Sequence, residues 1–165
     1  MRRQKRIFMR WRRVILWSTF VCVQFSLALA VIKDQVSIRQ ALHEYLRAQS
    51  KFRCMLLAGS VGVFMNALPA VAAPPQLELS DIGLPGLGGI EGLPLIRARL
   101  PEAQALMLSV FADAVRVFEA LRPRAVGYLL KNTPLAQLKE SLLHVAAGGS
   151  PMSPGVTRLV VQAFQ

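Results

Sequence analysis

Five short apolar runs recur along this chain, and a segment of helical period lies between each pair. No other feature constrains the fold as strongly. The runs are "LALAVI" (27–32), "CMLL" (54–57), "LELS" (77–80), "ALML" (105–108) and "VGYLL" (126–130). Each is apolar nearly throughout, as a strand covered on both faces should be. Between and after them, Ile38, Ala41, Leu42, Tyr45 and Leu46 fall on one helical face, as do Phe64, Ala67, Leu68 and Val71. Val115, Phe118 and Leu121 form a third stripe, and Leu135, Leu138 and Leu142 a fourth. Thr133 before Pro134 predicts an N-cap with proline in the first turn. The helix over 89–99 is the weakest, because Pro94 confines its regular part. Strands alternating with helices predict an α/β fold, a parallel five-stranded sheet wound on both faces.

Reactive groups in such a sheet collect at the carboxyl ends of the strands, near the switch in strand order. Asp34 follows the first run, Asp81 the third, Ser109 the fourth and Lys131 the fifth. Four polar side chains, far apart in sequence, are thereby expected in one crevice. A carboxylate at the mouth of a buried strand is costly to desolvate unless it is paired, metal-bound or reactive.

Composition adds bounds. At 165 residues the chain suits one domain with a real core. Its formal charge is +11, but residues 1–13 hold seven of the twenty basic side chains and no acid. Thirteen basic and nine acidic residues remain, so the body is only mildly basic at +4. A basic leader suits a membrane surface, nucleic acid or a targeting signal. Cys22 and Cys54 show neither metal spacing nor a disulfide framework, which predicts a reduced, cytoplasmic setting. His43 and His144 have no second ligand nearby, and "GLPGLGG" lacks the Gly-Lys-Ser/Thr ending of a phosphate-binding loop.

Four motifs occur in order: "VIKDQVSIRQAL", "SDIGLPGLGG", "LMLSVF" and "VGYLLKN", followed by "AAGGSPMSP". Over 27–149 the chain resembles a response-regulator receiver domain of the CheY-like superfamily, nearest the NarL/FixJ type of transcriptional regulators. The resemblance implies a flavodoxin-like sheet in the order 2-1-3-4-5. It also implies a receiver at 26–149, after an N-terminal extension at 1–25 and before a linker and the start of a connecting helix at 150–165. By the same resemblance Asp81 accepts a phosphoryl group from a sensor histidine kinase, and magnesium is held by Asp34, Asp81 and the backbone carbonyl of Gly83. Lys131 would pair with the phosphoryl oxygens, Ser109 would donate to another, and Tyr128 would rotate as the switch. Such a domain is a phosphoacceptor rather than an enzyme, and a homodimer is compatible with the family. Its natural form would control a DNA-binding output domain that this chain lacks, so no sequence-specific DNA binding is expected here. Taken singly, Asp81 reads as a cap residue, Ser109 as a turn hydroxyl and Lys131 as a surface lysine, and the motif registers favour the functional role for each; Tyr128 fits an ordinary core edge and a working switch equally well.

The pattern also breaks. Lys33 stands where the family has the first acid of its pair, a two-unit change in charge beside a dication site. Unit charges about 4 Å apart interact by roughly 4 kcal/mol at an effective dielectric near 20, so metal binding is expected to weaken. Glu78 lies in a central strand and needs a partner, Gly88 replaces the loop's usual acid, and Pro123-Arg124 replaces a common Ala-Gly. One rival reading is therefore a pseudo-receiver, an interaction module without phosphotransfer held in one state by Lys33. Another is a membrane-tethered or exported protein, because residues 14–32 form an uncharged run of nineteen behind the basic leader. The same run contains the first strand, and the downstream motifs require that strand.

Overall fold

The computed structural model describes residues 26–110 and 113–165. The 1–25 extension, most of the apolar run and Cys22 lie outside the described residues. Strands β1 (Leu27–Ile32), β2 (Phe52–Ala58), β3 (Leu77–Asp81), β4 (Gln104–Ser109) and β5 (Gly127–Leu130) form one parallel sheet in the order β2-β1-β3-β4-β5. The expected order is therefore found. All five expected strands are present, and Asp81 and Ser109 are the last residues of β3 and β4. No helix among the described residues is long and apolar enough to cross a membrane, and Leu27–Ile32 are a strand.

Period-2 alternation sends neighbouring side chains to opposite sides of the sheet. On one side Leu29, Val31, Leu77, Leu79, Leu106, Leu108 and Leu129 pack against α1 (Val36–Arg47) and α5 (Leu135–Ala146). On the other side Ala30, Ile32, Ala105 and Met107 pack beneath α2 (Val61–Ala67), α3 (Gly89–Arg99) and α4 (Ala114–Leu121). A last helix, α6 (Pro154–Gln162), lies against α4 and buries Val156 completely.

Three local expectations are corrected. Ser/Thr capping at α5 is not used: Pro134 is the N-cap residue, with extended backbone, and no side chain caps the helix. α3 continues through Pro94 as one helix, with a buried stripe of Gly89, Gly92, Leu93 and Ile96 on both sides of it. On α4 the buried residues are Val117 and Ala120, while Val115 is 67% exposed. The helix starts only after Asp113, whose carboxylate caps the Arg116 N–H at 3.0 Å, and that phase turns Val115 outward.

Candidate functional site

Lys33, Asp81 and Lys131 continue the rows Leu29-Val31, Leu77-Leu79 and Leu129 on the α1/α5 side of the sheet. The last paired residues of β1 and β3 are Ile32 and Ser80, so the next step sets Lys33 beside Asp81. Topology thus converts three distant segments into one charged cluster where strand order reverses.

The geometry is tight. Asp81 is 1% exposed, and its Oδ2 lies 2.7 Å from Lys33 Nζ and 2.7 Å from Lys131 Nζ. These contacts are not aligned as directed hydrogen bonds, so charge attraction holds this oxygen. Oδ1 accepts the backbone N–H of Gly83 at 3.1 Å. Lys33 is itself buried, and its ammonium also donates to Asp34 Oδ1. Burial pulls the Lys33 pKa down, but the hydrogen bond to Asp34 and the close negative charges of Asp34 and Asp81 outweigh it and leave it raised. The Lys33 ammonium in turn holds Asp34 below the usual aspartate range, against the opposing effect of burial. A cavity of about 180 Å³ adjoins the two lysines, lined by α1, α5 and the carboxyl ends of β4 and β5.

Ser109 and Tyr128 are buried on the opposite side of the sheet, toward α4. Burial pushes the Tyr128 phenol up, and a hydrogen bond with the Ser109 side chain opposes that shift. The Lys131 N–H donates to the Ser109 carbonyl at 2.7 Å, which ties the ends of β4 and β5 together. Of the sequence-predicted residues, then, Lys33, Asp34, Asp81 and Lys131 form one cluster, with Gly83 at its edge. Ser109 and Tyr128 form an adjacent pair.

Two positioning residues escaped the sequence reading. The Arg39 guanidinium donates to the carbonyl oxygens of Lys33 and of Asp34 (3.0 Å for the latter), pinning the β1–α1 loop. Arg39 sits within the quoted "VIKDQVSIRQAL", where nothing in the residue pattern singles it out. Gly89 lies so close to β3 that a Cβ would fall 2.1 Å from the Asp81 carbonyl oxygen. Its signal was its place as the final glycine of the loop motif.

Residues 29–143 match the response regulator receiver domain. The chain belongs to this family. Among its curated relatives, the transcriptional regulatory protein LnrK of Bacillus subtilis is 29% identical over 135 residues, covering 82% of this chain and 60% of LnrK. The transcriptional regulatory protein MctR of Rhizobium johnstonii is 35% identical over 101 residues, covering 61% of this chain and 47% of MctR. The receiver thus spans about half the length of the curated relatives it matches. A LuxR-family response regulator from Aurantimonas sp. shares the fold with a TM-score of 0.76 at 21% identity, covering 84% of this chain and 97% of that one. The isolated receiver domain of RcsB from Salmonella enterica serovar Typhimurium, in the presence of a phosphomimetic, gives 0.72 at 17% identity, covering 81% and 98%.

Magnesium, implied by the resemblance, is a poor fit to the donor set of this receiver. Such a hard cation is bound through carboxylates and keeps several waters. Here both candidate carboxylates, Asp34 and Asp81, already face the Lys33 ammonium. Among the described residues no group of three or more His, Cys, Asp or Glu is arranged to hold a metal.

Proposed function

We propose that this receiver is a two-component signalling module in which Asp81 accepts a phosphoryl group from the phosphohistidine of a sensor kinase. The observation that carries the reading is the Asp81 carboxylate at the carboxyl end of β3, with Lys131 Nζ 2.7 Å from Oδ2. Phosphoryl transfer asks chiefly for positioning and charge neutralisation, and this constellation supplies both. An Asp81 oxygen attacks phosphorus as the phosphorus–nitrogen bond breaks, and the imidazole leaves with the electron pair. Lys131 then holds the new phosphoryl oxygens. The Ser109 hydroxyl, turning from Tyr128 to the phosphoryl group, would pass the change to the α4 side. Output is transcriptional, in keeping with the names of the relatives. The setting is cytoplasmic, and a homodimer is a natural signalling form.

A second reading, an interaction module without phosphotransfer, is favoured by one feature. The Asp81 side chain is fully buried, with both oxygens already engaged. Intact-mass analysis after incubation with a small phosphodonor separates the two. One added phosphoryl group, absent in Asp81→Asn, supports the first; an unchanged mass under every donor and metal condition supports the second.

A further inference from the structure

We propose that Lys33 is a built-in replacement for the divalent cation, so that Asp81 is phosphorylated without metal. This rests on the reading of Asp81 as phosphoacceptor.

Charge is the first argument. With an acid at position 33, the pocket would hold three carboxylates and the Lys131 ammonium, and a dication would bring it to neutrality. With Lys33 it holds two carboxylates and two ammonium groups, and is neutral with no ion at all. After transfer, a dianionic acyl phosphate replaces the Asp81 carboxylate. Both versions of the pocket then carry one negative charge. A single lysine therefore reproduces the charge of the metal-loaded pocket before and after the reaction.

Position is the second argument. Lys33 Nζ touches Asp34 and Asp81, the two side chains the resemblance assigns to the metal. The lysine is only 3% exposed, with its stem against the cavity that Leu42, Leu108 and Leu138 also line. Arg39 fixes the backbone of Lys33 and Asp34 from behind. An ammonium has three N–H donors; the hydrogen bond to Asp34 takes one, and Asp81 is held by charge alone. A remaining donor can meet a phosphoryl oxygen as Asp81 attacks.

The step balances without a metal. One Asp81 oxygen forms a bond to phosphorus while the phosphorus–nitrogen bond of the donor breaks. The departing nitrogen keeps the electron pair and is protonated by water. Lys33 and Lys131 remain protonated and pair with the phosphoryl oxygens.

The test uses phosphoramidate as donor, with magnesium or with EDTA, on four versions of the full chain: parent, Lys33→Asp, Lys33→Met and Asp81→Asn. Intact mass gives the phosphorylated fraction. A thermal midpoint measured against magnesium concentration reports metal binding independently, and shows that each variant folds. The expected parent labels equally in magnesium and EDTA, and its midpoint does not respond to magnesium. Lys33→Asp should label only with magnesium and gain midpoint from it. Lys33→Met should label on the order of 100-fold more slowly under both conditions, as befits loss of a preorganised charge. A parent that labels only with magnesium, or that magnesium stabilises, overturns the inference and leaves Asp81 as acceptor. So does an unlabelled parent beside a labelled Lys33→Asp, because Lys33 then blocks the site. No label on any version sinks the phosphoacceptor reading, and the inference falls with it.

Discussion

Glu78 shows how much one residue can weigh in a sheet this thoroughly buried. It is 2% exposed between Ala30 and Ala105, its registered neighbours on β1 and β3's other flank β4, and its Oε1 has no hydrogen-bond partner. Burial pushes its pKa up to about 7, with Arg97 pulling weakly the other way. The Nη atoms of the Arg97 guanidinium donate instead to the carbonyls of Pro101 and Arg124, and its buried Nε is left without a hydrogen-bond partner. Because the folded pKa lies above the unfolded one, the folded state binds the proton more tightly. The Glu78 contribution to stability is therefore greatest below pH 4.5, falls as pH rises toward 7, and levels off beyond. The decline should amount to about 3 kcal/mol, and Glu78→Gln should abolish it. Denaturant melts at pH 4.5, 6 and 8 would show this, and equal slopes against pH in parent and variant would refute it. The need for a partner was legible in the sequence, since an acid interrupts an apolar strand. That the need goes unmet was not, because Arg97 is placed by the packing of α3.

Elements were read well where periodicity was strong, and less well where packing set the phase. β1 coincides with its expected span because a six-residue apolar run leaves little choice. The stripe on α4 held at Leu121, which packs against the buried cluster, but not at Val115, because Asp113 fixed the start of the helix and its phase. At the turn before β5, Arg124 adopts φ 71°, a left-handed conformation that costs a side-chain-bearing residue about 1–2 kcal/mol. That explains why glycine is common there in the family, a point the motif comparison raised without its cause. The start of α3 carries a prediction. Gly89→Ala drives a methyl group against the Asp81 carbonyl, which backbone rather than a flexible side chain must yield. We expect a loss of about 2–4 kcal/mol in urea melts. Gly83→Ala, where nothing lies within 4 Å of a Cβ, should cost far less.

For the molecule as a whole, the residues beyond α5 close the sheet. The Tyr128 N–H donates to the Pro151 carbonyl at 3.0 Å, and the Ser153 N–H returns a bond to the Tyr128 carbonyl at 3.1 Å. Leu130 N–H meets Ser153 Oγ at 3.0 Å, so the open edge of β5 is covered, as exposed strand edges require. Gly127 permits this approach, since a Cβ there would lie 2.6 Å from the Pro151 oxygen. The sequence offered a linker and a helix start at this point, but not their docking, because "SPMSP" has no strand pattern. Val156, fully buried, should cost about 2 kcal/mol when cut to alanine, whereas half-exposed Val161→Ala should be nearly neutral by the same melts.

The place where the chain turns toward its last helix thus has a mechanical meaning. Tyr128 holds the exit strand by both of its backbone groups, and its side chain lies in the same buried cluster as Val156 of α6. A shaft hinged on its own latch behaves differently from one joined by a slack cord. On the proposed function, Ser109 and Tyr128 are the two side chains that would link the Asp81 end of the sheet to α6, with no separate docking step between them.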